Sequence, residues 1–303
     1  MSSPAFYSLD DLRRWPEVGA PLHPPARLAV IGDPIAHSRS PAMHNPALSA
    51  CGMEAQYIRV HVPPGQVAEA VTLFAQHGFI GVNCTIPHKF EALEVVNEVD
   101  PLARQLGAVN TIRFHDSHTI GYNTDGPGFL RSVQSVFGRS VSELRVLILG
   151  AGGGAGRAVA MQCVLEKCPK LILANRTVEK LAPLESEIRA ASPAFDLHSL
   201  PWEPEAVAAV LPEVDLIVNS SPLGMKPQDP TPFDLSQITS RHLIYDMVYR
   251  PPGQTTPLIA AAKKAGAKTC DGLELLLHQG ALSFEHWFQR PAPLEVMRQG
   301  LAG

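Results

Sequence analysis

No stretch of about 18 consecutive apolar residues occurs in the 303-residue chain, so the sequence offers no membrane-spanning helix. The N-terminus, Met1-Ser2-Ser3-Pro4 and then Asp10-Asp11, lacks the basic start and apolar stretch of a secretory signal. A cytoplasmic location is the expectation. Basic clusters are missing too: 25 Lys and Arg stand against 29 Asp and Glu, a net charge of -4, and the cations are scattered. Nothing there attracts a phosphate backbone, so no nucleic-acid partner is expected. Cysteine is scarce, and Cys51, Cys84, Cys163, Cys168 and Cys270 form an odd set without Cys-x-x-Cys spacing. They fit neither a disulfide framework nor a thiolate metal site and read as reduced, mostly buried thiols. His37, His44 and His88 are not framed as Glu-x-x-His or His-Glu-x-x-His, so structural roles are expected and no metal.

What the chain has is material for a core. With 45% hydrophobic and 18% charged residues it suits a globular protein of about two domains. Residues 1–25 carry Pro4, Pro16, Pro21, Pro24 and Pro25 and read as an extension draped on the surface or partly disordered. From Arg27 the pattern alternates. Strands are expected at 28–31, 57–62 and 79–84, with helices at 41–51 and 65–77 between them. That βαβαβ order predicts an α/β domain with a mostly parallel sheet. A hairpin of 109–114 and 119–123, turning through His115-Asp116-Ser117-His118, would close it.

The second domain opens on an apolar strand, 144–149, that runs into Gly150-Ala151-Gly152-Gly153-Gly154-Ala155-Gly156 and a helix-forming segment. In that setting glycines give a tight turn, close backbone approach and a helix N-terminus aimed at a pyrophosphate, so a Rossmann-like dinucleotide site is expected. The strand at 171–174 ends in Asn175-Arg176-Thr177, with Lys180 a turn later. An NAD site places an acid there, about 20 residues past the glycines, for the ribose hydroxyl; a 2′-phosphate calls for Arg. The acid is missing and Arg176 is present, which favours NADP. Strands at 216–218 and 242–246 end in polar turns, 219–225 and 247–252, at the edge where ligands bind.

Two loops carry side chains suited to chemistry on a ketone. Asn83-Cys84-Thr85-Ile86-Pro87-His88-Lys89 ends in an ammonium, and Gly121-Tyr122-Asn123-Thr124-Asp125-Gly126 ends in a carboxylate. An ammonium within reach of a carbonyl oxygen stabilises the charge that develops there and supplies a proton. Asp125 would orient Lys89 and keep it charged. Blander readings exist for each residue: Ser38 and Ser40 could cap the helix near Pro41, Asp125 could cap the one after Gly126, Asn110 and Asn123 could form turns, and Lys89 could be a solvated charge.

The segment from Gly32-Asp33-Pro34-Ile35-Ala36-His37-Ser38-Arg39-Ser40-Pro41-Ala42-Met43-His44-Asn45, with the Asn83 to Lys89 loop, Gly107-Ala108-Val109-Asn110-Thr111, the Asp125 loop, Asn175-Arg176-Thr177 and Asp271-Gly272-Leu273-Glu274-Leu275-Leu276-Leu277-His278-Gln279-Gly280, resembles shikimate dehydrogenase in order from about residue 28 to 287. The resemblance implies NADPH-dependent, reversible reduction of 3-dehydroshikimate to shikimate, a step toward aromatic amino acids. It implies a carboxylate held by Ser38 and Ser40 with Tyr249 nearby, ring hydroxyls held by Thr85, Asn110, Asp125 and Gln279, and Lys89 with Asp125 as the catalytic pair. It further implies NADP bound by Gly150, Gly152, Gly153, Gly154, Ala155, Asn175, Arg176, Thr177 and Lys180, with Met247 and Gly272 near the nicotinamide. The glycine run is one residue longer than the usual Gly-Ala-Gly-Gly-Ala, which leaves its frame open by one residue. The expected layout is a substrate domain of 1–125 plus 271–303 and an NADP domain of 126–270, flanking a cleft, in a monomer or homodimer. Two alternatives remain: a quinate/shikimate dehydrogenase using NAD, and a non-catalytic NADP-binding metabolite sensor. Ser at both 38 and 40 and Arg176 argue against the first, the Lys89 and Asp125 pair against the second.

Overall fold

The computed structural model describes residues 5–116, 118–226, 228–251 and 253–303. The chain forms two compact units, one running to Thr124 and resuming at Gln279–Gly303, the other Asp125–His278. Six residues named above lie outside the described residues: Met1–Pro4 of the extension, Ser117 of the hairpin turn and Pro252 of the turn after residue 246.

The first unit begins with a departure from the sequence reading. Its proline-rich start does not drape loosely: β1 (Tyr7–Ser8), α1 (Leu9–Arg13) and α2 (Trp15–Val18) are packed elements. Tyr7, Leu9, Leu12 and Trp15 are buried and join the hydrophobic core of this unit. Trp15 packs on Tyr7 and Phe79 at ring separations of 5.3 and 5.6 Å. Burying side chains of that size stabilises by about 2 kcal/mol or more each, which outweighs the local preference of the prolines for loops. Ser8 and Asp11 form a reciprocal capping box that starts α1.

Then follow β2 (Ala26–Gly32), α3 (Ser40–Ala50), β3 (Gln56–His61), α4 (Val67–Gln76), β4 (Gly81–Cys84), α5 (Lys89–Val95), β5 (Glu98–Val99), α6 (Pro101–Leu106), β6 (Thr111–His115) and β7 (His118–Tyr122). The seven strands pair in the order β1-β3-β2-β4-β6-β7-β5. The four strands from β1 to β4 are mutually parallel, and the β6–β7 hairpin joins β4 antiparallel. β2 and β4 are almost wholly buried, as expected of strands covered on both faces. The predicted strands and helices of this region are present within a residue or two; β1 and β5, two residues each, are too short to leave a periodic signal.

The second unit runs α7 (Asp125–Phe137), β8 (Arg145–Leu149), α8 (Gly154–Leu165), β9 (Lys170–Asn175), α9 (Ala182–Ala191), β10 (Leu197–Pro201), α10 (Pro204–Val210), β11 (Leu216–Asn219), β12 (Leu243–Asp246), α11 (Pro257–Lys264) and β13 (Lys268–Cys270). Its six strands are all parallel, in the order β10-β9-β8-β11-β12-β13. Counted within the unit that is 3-2-1-4-5-6, the doubly wound dinucleotide order, whose switch point lies between its first and fourth strands. Arg145 closes the foot of the sheet with a bidentate pair to Asp215 at 2.8 Å and 2.8 Å. Helix α12 (Gly272–Phe288) starts in this unit and ends in the first, where α13 (Leu294–Ala302) follows. Gly300 of α13 lets the backbone of α3 come close: a Cβ there would lie 2.2 Å from the Ala42 carbonyl oxygen.

Candidate active site

In the first unit the predicted side chains gather at the carboxyl ends of β2 and β4 and the start of β6. Gly32 ends β2, and a Cβ on it would lie 2.5 Å from the Thr85 methyl, so only glycine lets the β4 loop cross there. The crossing is held by backbone bonds from Thr85 N to Ile31 O at 2.9 Å and from Asp33 N to Ile86 O at 3.0 Å. Ser38 and Ser40 stand in the other loop, with Ser38 Oγ donating to Ser40 Oγ at 3.3 Å. Ser40 is the first residue of α3, and its amide donates to Ser38 Oγ at 3.4 Å, while the N-cap residue Arg39 makes no side-chain cap bond. A capping role is therefore open to Ser38 but not to Ser40. Arg59 of β3 ties the loop down by donating to the Ser38 carbonyl at 2.7 Å.

Lys89 opens α5, where the helix dipole opposes a cation, a placement that stability alone would not select. It is half-buried. Its backbone carbonyl accepts from Val109 N at 3.0 Å, which locks the start of α5 to the approach of β6. Glu91, two residues along, accepts from the amides of Gly65 and Val67 at 3.0 and 2.8 Å, so α5 is also fastened to the start of α4. Burial pushes the neighbouring Cys84 thiol up to about 12, against the pull of the Lys89 ammonium. Cys84 is thus an inert core thiol.

Behind these loops lies a buried network of hydroxyls and amides that the sequence reading missed. Asn83 of β4 donates to the Asn110 carbonyl, Thr111 Oγ1 and Ser283 Oγ at 3.2, 3.0 and 2.9 Å, and accepts from the Tyr57 hydroxyl at 2.7 Å. Asn110 Oδ1 accepts from Thr124 N at 2.8 Å and from Thr111 Oγ1 at 3.1 Å, and its Nδ2 donates to Thr124 Oγ1 at 3.0 Å. Ser283 Oγ donates to the Gln279 carbonyl at 3.0 Å, so α12 joins the same network. A cluster of this kind costs stability unless every member is satisfied, and one that is satisfied is rigid. The network holds the Asn110 side chain and the Gln279 backbone carbonyl; Asn123 is held apart, donating to Ala108 O at 2.9 Å.

The three histidines stand as follows. His44 is fully buried, stacked on Tyr57 at 4.4 Å, and burial lowers it to about 3, so it is neutral. His88 is buried against the Val62 carbonyl at 2.8 Å, and burial lowers it as well. His37 lies exposed in the β2–α3 loop. Among the described residues no cluster of three His, Cys, Asp or Glu is arranged to hold a metal ion. The cysteines are free thiols, Cys84, Cys163, Cys168 and Cys270 buried and Cys51 partly so.

In the second unit the site is made chiefly of backbone. Gly150 follows β8 at φ +84°, a conformation that favours glycine, and Gly153 N bonds Gly150 O at 3.2 Å to close the turn. α8 then starts at Gly154 with no side-chain cap, leaving its first amides to a ligand. A Cβ on Gly156 would lie 2.5 Å from Ser220 Oγ and 2.8 Å from Gly150 O, so Gly156 is the close-packing glycine of the run. The sequence reading placed Gly156 in the glycine run but not among the cofactor-binding residues, and the signal was the extra glycine itself. Gly153 has room for a Cβ, its nearest neighbour being Gly150 O at 3.7 Å.

Asn175 ends β9 beside Gly152 and donates to the Thr177 carbonyl at 2.8 Å, shaping the turn that exposes Arg176, Thr177 and Lys180. No carboxylate ends that strand. A 2′-phosphate fits this set of donors, and the uncapped α8 amides fit a pyrophosphate. Further along the strand ends, Asp246 is buried and accepts from Asn219 Nδ2, Val248 N and Thr256 Oγ1 at 2.9, 3.1 and 2.6 Å. Burial raises its carboxyl to about 6 against those three donors. The bonds pin the segment carrying Met247 and half-buried Tyr249. Gly272 packs on it: a Cβ there would lie 2.2 Å from the Met247 carbonyl oxygen, so Met247 and Gly272 are brought together. Asp125 opens α7 and is buried, one peptide bond after the network residue Thr124.

Comparison with known proteins agrees with this geometry. The model of the shikimate dehydrogenase substrate binding domain matches residues 30–112, and that of the shikimate 5′-dehydrogenase C-terminal domain matches 272–301. A relative from Symbiobacterium thermophilum named shikimate dehydrogenase (NADP(+)) is 43% identical over 89% of this chain and 92% of its own. The crystal structure of shikimate dehydrogenase from Aquifex aeolicus superposes with a TM-score of 0.82 at 32% identity, covering 100% of both chains. The shikimate 5-dehydrogenase of Thermus thermophilus, solved with NADP(H) and shikimate, gives 0.79 at 33% identity over 91% of this chain and 98% of that one. Similarity of that extent, spread over both α/β units, leads to one conclusion: the chain belongs to the shikimate dehydrogenase family.

Proposed function

We propose that the protein is an NADP-dependent shikimate dehydrogenase, reducing 3-dehydroshikimate to shikimate reversibly. The first unit takes the substrate and the second the nucleotide. When bound, NADPH supplies the hydride that reaches the ketone carbon. Ser38 and Ser40 hold the substrate carboxylate by their hydroxyls, with Tyr249 near it. Thr85, Asn110, Asp125 and Gln279 take the ring hydroxyls; such short groups suit a polyol, because a missing partner leaves a buried polar atom unmatched. Lys89 donates its proton to the carbonyl oxygen as charge develops there, and Asp125 orients the ammonium and binds the adjacent hydroxyl.

NADP is bound by Gly150, Gly152, Gly153, Gly154 and Ala155 around the pyrophosphate, and by Asn175, Arg176, Thr177 and Lys180 at the ribose phosphate. Met247 and Gly272 border the nicotinamide. The observation that carries the cofactor choice is the end of β9, where Arg176 is exposed and the acid that would take a ribose hydroxyl is missing. Among the described residues no helix is long and apolar enough to cross a membrane. The reading has the enzyme act in the cytoplasm, as a monomer or homodimer, without metal or nucleic acid. The test is the absorbance of reduced nicotinamide in four mixtures, shikimate or quinate with NADP or NAD. Turnover greatest with shikimate and NADP supports the reading. Turnover mainly with quinate and NAD overturns the substrate and cofactor, and binding of NADP without turnover in any mixture points to a sensor.

A further inference from the structure

Asp246 ends β12, takes no part in the chemistry above and is fully buried. Its three hydrogen-bond partners, Asn219 Nδ2, Val248 N and Thr256 Oγ1, are all uncharged. A carboxylate buried without a cation costs stability, and a neutral Asn at the same place would shape the turn to Val248 as well. The cost is explained if the carboxylate holds something that has to stand in one place.

What it holds is the segment after β12. The Met247 amide donates to the Asn219 carbonyl at 2.9 Å, the Val248 amide to Asp246 Oδ1 at 3.1 Å, and the Gly272 amide to the Val248 carbonyl at 3.2 Å. The same Oδ1 accepts from Asn219 Nδ2 at 2.9 Å. Asn219 in turn organises the loop after β11, donating to the Leu223 carbonyl at 3.0 Å and accepting from Ser221 Oγ at 2.7 Å. Asp246 Oδ2 accepts from the Thr256 hydroxyl at 2.6 Å, and that hydroxyl oxygen accepts from Ile259 N at 3.2 Å, capping α11. One carboxylate therefore joins the ends of β11 and β12 to the start of α11. Packing alone does not set its place, because a small cavity lined by Leu223, Gly224, Thr256 and Pro257 reaches it.

We propose that Asp246 is a positioning residue for hydride transfer, acting through residues 247–248 to set where the nicotinamide ring stands. The inference rests on the functional reading above, in which Met247 borders the nicotinamide. The test uses the full chain and three variants. Asp246→Asn keeps the size of the side chain and replaces one accepting oxygen by a donor. Thr256→Val removes the hydroxyl at nearly constant shape, and Thr256→Ser keeps it. Each chain is measured for kcat and for KM of NADP in shikimate oxidation. Each is also titrated with adenosine 2′,5′-bisphosphate, which carries the phosphate end of the cofactor and no nicotinamide.

Asp246→Asn is expected to lower kcat about a hundredfold, as for reacting groups displaced by about 1 Å. Thr256→Val should lower it about tenfold, as for one lost bond to a charged group, and Thr256→Ser should stay close to the parent. KM for NADP and affinity for the bisphosphate should change little in all three. A fall in kcat matched by an equal loss of bisphosphate binding would overturn the proposal and make Asp246 a prop of the sheet. A parent-like kcat in Asp246→Asn, or a Thr256→Ser chain as slow as Thr256→Val, would overturn it too. If Asp246→Asn does not fold, the two Thr256 variants decide by the same criteria. A parent chain that binds the bisphosphate but turns over no shikimate would instead overturn the functional reading itself, and this inference with it.

Discussion

In the proposed function the two units solve the same problem, holding a polar ligand, with different parts of the polypeptide. In the second unit the nucleotide elements are backbone: a left-handed Gly150, uncapped amides at the start of α8, and Gly156 packed where a methyl group has no space. In the first unit they are side chains, and behind Asn110 and Gln279 stands a network of hydroxyls and amides drawn from β3, β4, β6 and α12. Backbone amides suit a phosphate group, whose charge is symmetric and shared by many nucleotides. A ring of hydroxyls with one carboxylate needs donors and acceptors in a fixed pattern, which only side chains supply.

If that contrast holds, removing space at the backbone device should be the most damaging change in the second unit. Gly156→Ala is expected to cost about 2–3 kcal/mol of stability from overpacking against Ser220 and the Gly150 carbonyl, while Gly153→Ala is expected to cost under about 1 kcal/mol. Denaturant unfolding of the two variants checks this, and equal losses would mean the frame of the glycine run is misread. Arg176→Ala, the side-chain exception in that unit, should weaken NADP about tenfold and leave NAD unchanged, by titration with each nucleotide. A drop for both would make Arg176 a general anchor rather than the phosphate partner.

In the first unit the effect belongs to His44 and is spread over several pH units. Its folded pKa is depressed to about 3 by burial, below the ordinary value of 6.5. In that window the unfolded chain holds the proton and the folded chain does not, so stability is intact above the unfolded value and falls as pH drops toward 3. The slope is up to about 1.4 kcal/mol per pH unit. Urea midpoints between those limits measure it, and His44→Phe should flatten that part of the curve.

The same contrast explains what was legible in the sequence. A glycine run after an apolar strand has a fixed order and spacing, so the doubly wound unit was legible before its strand order was seen. In the first unit Asn83 and Ser283 are 200 residues apart, and strand positions holding Asn or Thr carry no periodic mark of the partner they meet. Ser38, Ser40 and Asn110 were readable only through the order of several motifs, since singly each resembles a cap or turn former. Residues 7–18 misled because local proline content said nothing of the core that Tyr7, Leu12 and Trp15 enter. Strands β10 and β13 at the two edges of the second sheet escaped for lack of length or apolar alternation.

The most direct test of the account is the Lys89→Ala chain, assayed for shikimate turnover with NADP while NADP and shikimate binding are titrated in parallel. The account predicts a fall in kcat of about a thousandfold, within the range for losing a positioned acid, with NADP affinity unchanged and shikimate affinity reduced modestly. A variant that turns over at close to the parent rate would contradict it, and Lys89 would then be a surface charge beside a site whose proton comes from elsewhere.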